Sequence, residues 1–421
     1  MSVSLIERAQ QLDAADPLAG FRDQFALPTG SNGETLTYLC GHSLGAAPRA
    51  ARTRVTEELD DWEKLGVEGH HAGRRPWIDY AEQLAKPLAQ LAGAREHEVV
   101  AMNSLTVNLH LLMASFYRPQ GRRRLIVIEG GAFPSDRHAV LGQLQWHGLD
   151  ASSLIEVAPA AGADLIDPAQ LEILLAQRGD EVALVLWPGV QYLTGQAFDL
   201  ARIARASAAA GSACGFDLAH AMGNLPLALH DSGADFAAWC SYKYLNAGPG
   251  ALGGAFVHER HARSELPRLA GWWGHEGATR FHMGPQFHPS FGAAGWQVSN
   301  PPILSTAPLL ASLALFEQAG MAALRTKSLA MTGLLLDELD ARFAGQLQCV
   351  TPREEAQRGC QLSLRVRAGR ATGRALFDAL TAQGVVLDWR EPDILRIAPV
   401  PLYNRHADIA HFVQCLGAAL A

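Results

Sequence analysis

The chain has 421 residues, 48% of them hydrophobic, with a formal net charge of -7 and a sequence pI near 6.1. That acidity leaves no basic field for nucleic acid, and the basic run at 122–124 opens a strand-like segment without forming a patch. Six cysteines without paired spacing argue against a disulfide framework and a zinc module, so a reducing, cytoplasmic setting is expected.

A chain this long exceeds the size at which one core keeps growing, which predicts a large and a small domain. Its first residues carry charges and lack the apolar core of a signal peptide. No later stretch reaches about 18 uninterrupted apolar residues, so no membrane partner is expected.

Residues 5–16 suit a helix, and 36–40 a strand ending in Gly41-His42-Ser43-Leu44-Gly45. Pro48 opens a helix over 49–65, with Val55, Leu59 and Trp62 at helical spacing. The loop 69–77 holds His70 and His71; adjacent histidines without a third ligand nearby do not make a metal site, and a polar pocket lining fits better. Helix 80–92, strand 98–101 and helix 105–117 follow. Ser104 is the expected N-cap of the last, and a helix start preceded by a strand is a natural phosphate cradle, although most such junctions bind nothing.

Strands then alternate with helices: 124–129, 153–157, 183–187, 213–217, 236–241 and 255–258 read as strands. The alternation predicts a mostly parallel sheet covered on both faces. Ligands gather at the carboxyl ends of such strands. Asp217, Lys243, Phe133 and the Ser104 helix start all fall on that edge.

Lys243, set in Ser241-Tyr242-Lys243-Tyr244 before a glycine-rich turn, is poorly placed as a solvated cation and well placed to hold an aldehyde cofactor as a Schiff base. Asp217 is the matching carboxylate, able to pair with the ring nitrogen of pyridoxal phosphate and keep the ring an electron sink. Residues 267–302 are rich in Gly, His, Trp and Phe without a clear period, which suggests a lid or a subunit interface. Helices at 303–315 and 321–343 lead into an α+β segment, with strands at 361–366, 385–387 and 394–398 and helices at 371–383 and 404–420. The expected organisation is an N-terminal segment 1–45, a large domain 46–302 and a small domain 303–421.

Several stretches together give a resemblance covering nearly the whole chain: MNSLTVNLHLLMASF from Met102, AFPSD from Ala132, GVQYLTGQ from Gly189, GFDLAHAMGN from Gly215, WCSYKYLNAGPG from Trp239, GWWGHE from Gly271, SNPPIL from Ser299, RGCQLSL from Arg358 and RIAPVPLYN from Arg396. On these motifs the chain resembles the kynureninases, pyridoxal phosphate enzymes of the aspartate aminotransferase fold (fold type I). The resemblance implies a seven-stranded sheet domain with a smaller C-terminal domain, and a homodimer with shared active sites. It further implies hydrolysis of kynurenine or 3-hydroxykynurenine to anthranilate or its 3-hydroxy form plus alanine, within tryptophan catabolism.

Carried over by position, it implies that Lys243 is the Schiff-base lysine and Asp217 the partner of the pyridine nitrogen. Leu105 and Thr106 would hold the phosphate, Phe133 would stack on the ring, and Ser135 and Asp136 would lie beside it. His220 and Tyr242 would line the phosphate side, with Tyr242 either a proton relay or a phosphate ligand. Trp272 and Asn300 would arrive from the neighbouring subunit. Arg396 would bind the substrate carboxylate, with Ser43 and His70 also facing substrate. Polar groups at His70, Ser299 and Asn300 resemble the branch that prefers 3-hydroxykynurenine.

Two departures stand out: His42 replaces the asparagine of the usual GNSLG, and Pro188 stands where some members place a hydroxyl residue. The rival readings are a cysteine desulfurase or an aminotransferase of the same fold, or a scaffold protein without cofactor. A desulfurase needs a reactive thiol near the lid, and no cysteine lies between Lys243 and Cys349.

Overall fold

The computed structural model describes residues 4–421. Helix α1 (Leu5–Ala14) starts at a capping box, Ser4 accepting from the Glu7 N–H while the Glu7 carboxylate takes the Ser4 N–H. Three two-residue strands follow. β1 (Phe25–Ala26) pairs with β3 (Ala47–Pro48), while β2 (Thr37–Tyr38) joins Val385–Val386 far along the chain.

Helix α2 (Arg49–Leu65) has the expected bounds but the opposite orientation. The stripe read as apolar is turned outward, with Leu59 37% and Trp62 60% exposed, while Glu58 and Asp61 are buried. Polar anchoring decides this. Glu58 accepts from Arg75 Nε (2.7 Å), Trp77 Nε1 (3.0 Å) and Tyr80 OH (3.0 Å), and Arg74 bonds Asp61 at 2.5 Å. A buried carboxylate so fully bonded outweighs the burial of two more apolar side chains.

After α3 (Glu82–Ala92) come β4 (Val99–Ala101), α4 (Leu105–Phe116), β5 (Leu125–Glu129), α5 (Pro134–Trp146), β6 (Leu154–Val157), α6 (Pro168–Arg178), β7 (Val182–Pro188), α7 (Leu200–Ala209), β8 (Ala213–Asp217), the short α8 (Leu229–Ser232), β9 (Phe236–Trp239) and β10 (Gly254–Val257). The seven strands order as β4-β10-β9-β8-β7-β5-β6, all pairs parallel except the two made by β10. β5, β7, β8 and β9 are buried along almost their whole length, as strands covered on both faces require. Residues 267–302 form irregular chain with short 3₁₀ turns, as expected.

The rest is α9 (Ile303–Ala319), α10 (Met321–Arg342), β11 (Leu347–Cys349), β12 (Leu362–Val366), α11 (Arg370–Ala382), β13 (Val385–Val386), β14 (Asp388–Arg390), β15 (Ile394–Ile397) and α12 (His406–Leu420). The small sheet orders as β11-β12-β15-β14. β11 and β14, three residues each, are too short for a periodic signal, and the strand expected at 385–387 leaves this sheet to pair with β2. Leu309, Leu313 and Phe316 of α9 share a core with Leu84, Leu88 and Trp239, whereas residues from Met331 onward pack with β12, β15 and α12. The two cores therefore divide within α10, some twenty residues after the boundary expected from the sequence.

The N-terminal segment stitches the halves together. Leu39 packs in the small-domain core and Tyr38 in the large one. Gly45 N–H donates to Tyr242 O at 2.8 Å, and a Cβ at Gly45 would run into Lys243 O and Asn246 Oδ1. Gly45→Ala should therefore destabilise the protein by about 1–3 kcal/mol through forced movement of the lysine loop, read as a lower urea midpoint at unchanged m-value; an unchanged midpoint would show that the loop yields freely.

Candidate active site

The carboxyl edge of the large sheet closes around a cavity of about 190 Å³. Asp217 is the last residue of β8, Lys243 follows β9, Phe133 caps α5 after β5, and Leu105 and Thr106 open α4 after β4. All line that cavity, with Ser104, Ser135, Asp136, His220 and Tyr242. Parallel strands bring their ends to one edge, so residues 104 to 243 meet without any local sequence relation.

Ser104 occupies the N-cap position in extended conformation, but its side chain makes no capping bond, contrary to expectation. The N–H groups of Leu105 and Thr106 find no acceptor among the described residues. Thr106 Oγ1 lies 2.6 Å from Ser135 Oγ, tying the start of α4 to the start of α5. Unmet N–H groups at a helix start flanked by two hydroxyls suit a phosphate.

Lys243 Nζ sits 3.0 Å from His220 Nε2 and 5.9 Å from the ring centroids of both Phe133 and Tyr242. Burial, together with the charge of Lys243, holds His220 well below the ordinary imidazole range, so its ring is neutral and can accept from the amine. Burial likewise raises the Tyr242 phenol, whose hydroxyl faces the Cys240 thiol.

Three carboxylates share the floor. Asp217 Oδ1 accepts from Ala219 N at 2.7 Å. Asp136 is pushed well above its usual range by burial and then by Asp217, to which it is hydrogen-bonded, while its Oδ1 has no partner. Glu129, at the end of β5, is pushed up to about 8, chiefly by burial. Burial with one lysine as the nearby cation favours the protonated forms of Asp136 and Glu129.

Across the cavity mouth, β15 delivers Arg396, whose side chain is 2% exposed. Its Nε donates to Asp388 Oδ1 (2.8 Å) and its Nη1 to Tyr192 O (2.8 Å), so the guanidinium is held by both domains. Nη2 has no partner among the described residues, which leaves one edge free for a carboxylate.

The kynureninase C-terminal domain model matches residues 324–416. The kynureninase of Xanthomonas euvesicatoria pv. vesicatoria is 61% identical over 413 residues, 97% of this chain and 97% of that protein. The kynureninase of Xanthomonas axonopodis pv. citri is 61% identical over 407 residues, covering 96% of each. The chain belongs to the kynureninase family.

Among solved structures, a C-DES variant with glycine covalently linked to its PLP cofactor superposes with a TM-score of 0.77 at 20% identity, covering 94% of this chain and 98% of that one. An Escherichia coli cysteine desulfurase gives 0.75 at 19%, covering 96% and 98%. At such identities these matches speak for the fold, which is that of fold type I pyridoxal phosphate enzymes.

The cavity fits that cofactor. Lys243 answers its aldehyde, Asp217 its ring nitrogen, the bare N–H groups of α4 its phosphate, and the orphaned Asp136 Oδ1 shows a polar position awaiting a partner. Trp272, Asn300 and His70 do not line this cavity in their own chain. Trp272 is 47% exposed with Nε1 on Arg280 O (3.1 Å), Asn300 is exposed, and His70 bonds Val67 O (3.1 Å) and packs on Trp77. Ser43 lies half-buried in the turn docked on the lysine loop.

Glu129 and Tyr192 line the cavity and Asp388 braces Arg396, yet none was expected from the sequence. Glu129 was findable: it ends an apolar strand before two glycines, the same signal that exposes Asp217. Pro188, the departure noted above, also lines the cavity and offers no hydrogen-bond donor.

The raised Glu129 carboxyl makes a pH prediction. A carboxyl whose folded pKa is about 8 against an ordinary value of 4.5 stabilises the fold below the lower value, and that contribution is lost as pH rises through the higher. Urea unfolding of the cofactor-free protein should therefore show stability falling between about pH 5 and 8, by a few kcal/mol in order of magnitude. Glu129→Gln, which cannot ionise, should flatten that slope; equal slopes in both proteins would refute a protonated Glu129.

Proposed function

We propose that this chain hydrolyses L-kynurenine, or its 3-hydroxy form, to anthranilate, or 3-hydroxyanthranilate, and L-alanine. The observation that carries the reading is the meeting of Lys243 and Asp217 in one cavity whose lining residue Tyr192 accepts from Arg396 Nη1, in a chain 61% identical to curated kynureninases. Overall the Cβ–Cγ bond breaks, the oxygen of water joins Cγ, and a proton goes to Cβ. When bound, pyridoxal phosphate supplies an electron sink for the charge that develops at the substrate's amino-acid carbons.

The protein's own groups do the rest. Leu105, Thr106 and Ser135 anchor the phosphate, and Phe133 presents its ring to the cofactor face. Asp217, at the end of β8 in the cavity lining, would pair with the pyridine nitrogen. Arg396 fixes the substrate carboxylate, orienting the bonds at Cα. Lys243 moves protons at Cα, and neutral His220 takes a hydrogen bond from its amine and so keeps Nζ aimed into the cavity. Tyr242, with its phenol held protonated, is suited to deliver a proton to Cβ.

Replacing Lys243 by Ala should abolish anthranilate release and the visible absorbance that borohydride bleaches in the wild type. Tyr242→Phe separates its two roles. As a proton relay its loss lowers kcat by about 100-fold at unchanged cofactor affinity; as a phosphate ligand it weakens cofactor binding with kcat retained at saturation.

We further infer a cytoplasmic homodimer acting in tryptophan catabolism. The outward Leu59 and Trp62 of α2, the exposed Leu304 of α9 and the exposed Trp272, Phe281 and Met283 of the irregular segment supply apolar surface that a second copy would cover. In that arrangement Trp272, Asn300 and His70 complete the partner's cavity. Mixing inactive Lys243→Ala with impaired Trp272→Ala subunits should then restore activity to about a quarter to a half of wild type in the mixed dimers; no recovery would overturn a shared site.

Polar His70, Ser299 and Asn300 support preference for the 3-hydroxylated substrate, because a site built to bond a hydroxyl discriminates strongly against its absence. A kcat/KM ratio of 10 or more in its favour is expected on the order of such effects; a preference for plain kynurenine would refute this.

A further inference from the structure

His42 is fully buried, and neither of its ring nitrogens has a hydrogen-bond partner among the described residues. A neutral imidazole carries one donor and one acceptor. Leaving both unmet in the interior costs free energy, so such a side chain beside a site signals a missing polar ligand.

The neighbours say which ligand. The His42 ring lies 6.4 Å from the ring of His220, whose Nε2 is 3.0 Å from Lys243 Nζ. On the other side, Cys40 Sγ, a His42 nitrogen and an Asp388 oxygen lie within 4.8 Å of one another. Asp388 in turn braces Arg396 (2.8 Å) and Arg390 (2.9 Å). His42 is not itself part of the cavity lining; it lies buried between His220, which is, and Asp388, the brace of Arg396.

The Cys40–His42–Asp388 trio does not suit a metal. Its carboxylate is already bonded by two guanidiniums, and a divalent cation would face both of them. Burial pushes the Cys40 thiol up to about 12, so it is a donor rather than a thiolate ligand. Burial and the charges of Arg396, Lys243 and Arg390 hold His42 well below the imidazole range, hence neutral. The protonated Cys40 thiol, within 4.8 Å of a His42 nitrogen, is the nearby donor for the ring's acceptor, and the ring's own N–H is left without a partner.

We propose that His42 is a further substrate-binding residue, donating its free N–H, directly or through one ordered water, to the α-carboxylate of the amino acid held by Arg396. This rests on the amino-acid reading of the site given above. The turn that carries His42 is suited to the task, because Gly45 ties it to Tyr242 O and leaves no space for the lysine loop to shift.

The test uses the pyridoxal phosphate-loaded enzyme with His42→Leu and His42→Asn. Four quantities are read: KM and kcat for L-kynurenine, Kd for L-alanine from the visible absorbance change, cofactor affinity by titration of the apoprotein, and the melting temperature. The Leu variant should raise KM and the alanine Kd together by about 10-fold, the effect of one hydrogen bond to a charged group, with kcat and cofactor affinity within about twofold of wild type and the melting temperature within about 3 °C. The Asn variant, which keeps a donor, should stay within about threefold.

An unchanged alanine Kd in the Leu variant, or a loss of cofactor affinity and melting temperature with KM unchanged, would overturn the proposal in favour of a packing role. Should the Leu variant fail to fold, His42→Ala is judged by the same two outcomes. If the wild type released no anthranilate, the kynurenine reading would fall while the alanine titration still decided the role of His42.

Discussion

The site depends first on how the loop after β9 is held. Lys243 is useful only if its amine is fixed at the sheet edge, and a loop of glycines cannot fix itself. Gly45 N–H on Tyr242 O supplies one clamp, and the absence of space at Gly45 makes the contact intolerant of drift. His220 supplies another through Nζ, and Asn246, buried and bonded to Tyr244 O, a third. The N-terminal segment thus belongs to the active site as much as the sheet does, although it adds almost no strand to it.

Charge is the second constraint. Three acidic side chains in one dry floor would repel one another if all were ionised, and the sheet has no arginine beneath them to compensate. Holding Asp136 and Glu129 neutral relieves that conflict. The opposite logic governs the other wall. There Asp388 lies between Arg390 and Arg396, neutralising one guanidinium and leaving net positive charge on the side meant for a carboxylate. The two walls are therefore complementary to the two ends of a bound cofactor–amino acid pair.

Much of this was legible in the sequence because parallel strands obey a simple rule: polar residues that end long apolar runs collect on one edge. Asp217, Lys243 and Phe133 follow that rule, and so does Glu129 at the end of β5. Features that depend on distant partners were not legible. The α2 stripe misled because the choice of face was made by Arg75, Trp77 and Tyr80, which lie outside the helix. Ser104 was expected to cap its own helix, yet the structure leaves the N–H groups bare, as a phosphate site requires and as no local pattern can reveal. The change of core within α10 was hidden because α9 and α10 read alike as apolar helices.

The fold is shared with a cystine C–S lyase and with cysteine desulfurases, so the architecture alone does not select the reaction. The thiols do help to select it. Desulfurase chemistry calls for a nucleophilic thiolate, which needs a cysteine that is exposed and has a lowered pKa. Here burial raises all six, with Cys214 and Cys360 pushed up to about 12. Cys360 and Cys240 are buried neighbours of Tyr244 and Tyr242 and offer no exposed thiolate. What stands beside the Lys243 amine is instead a phenol, the Tyr242 ring centroid lying 5.9 Å from Nζ, and burial favours its protonated form.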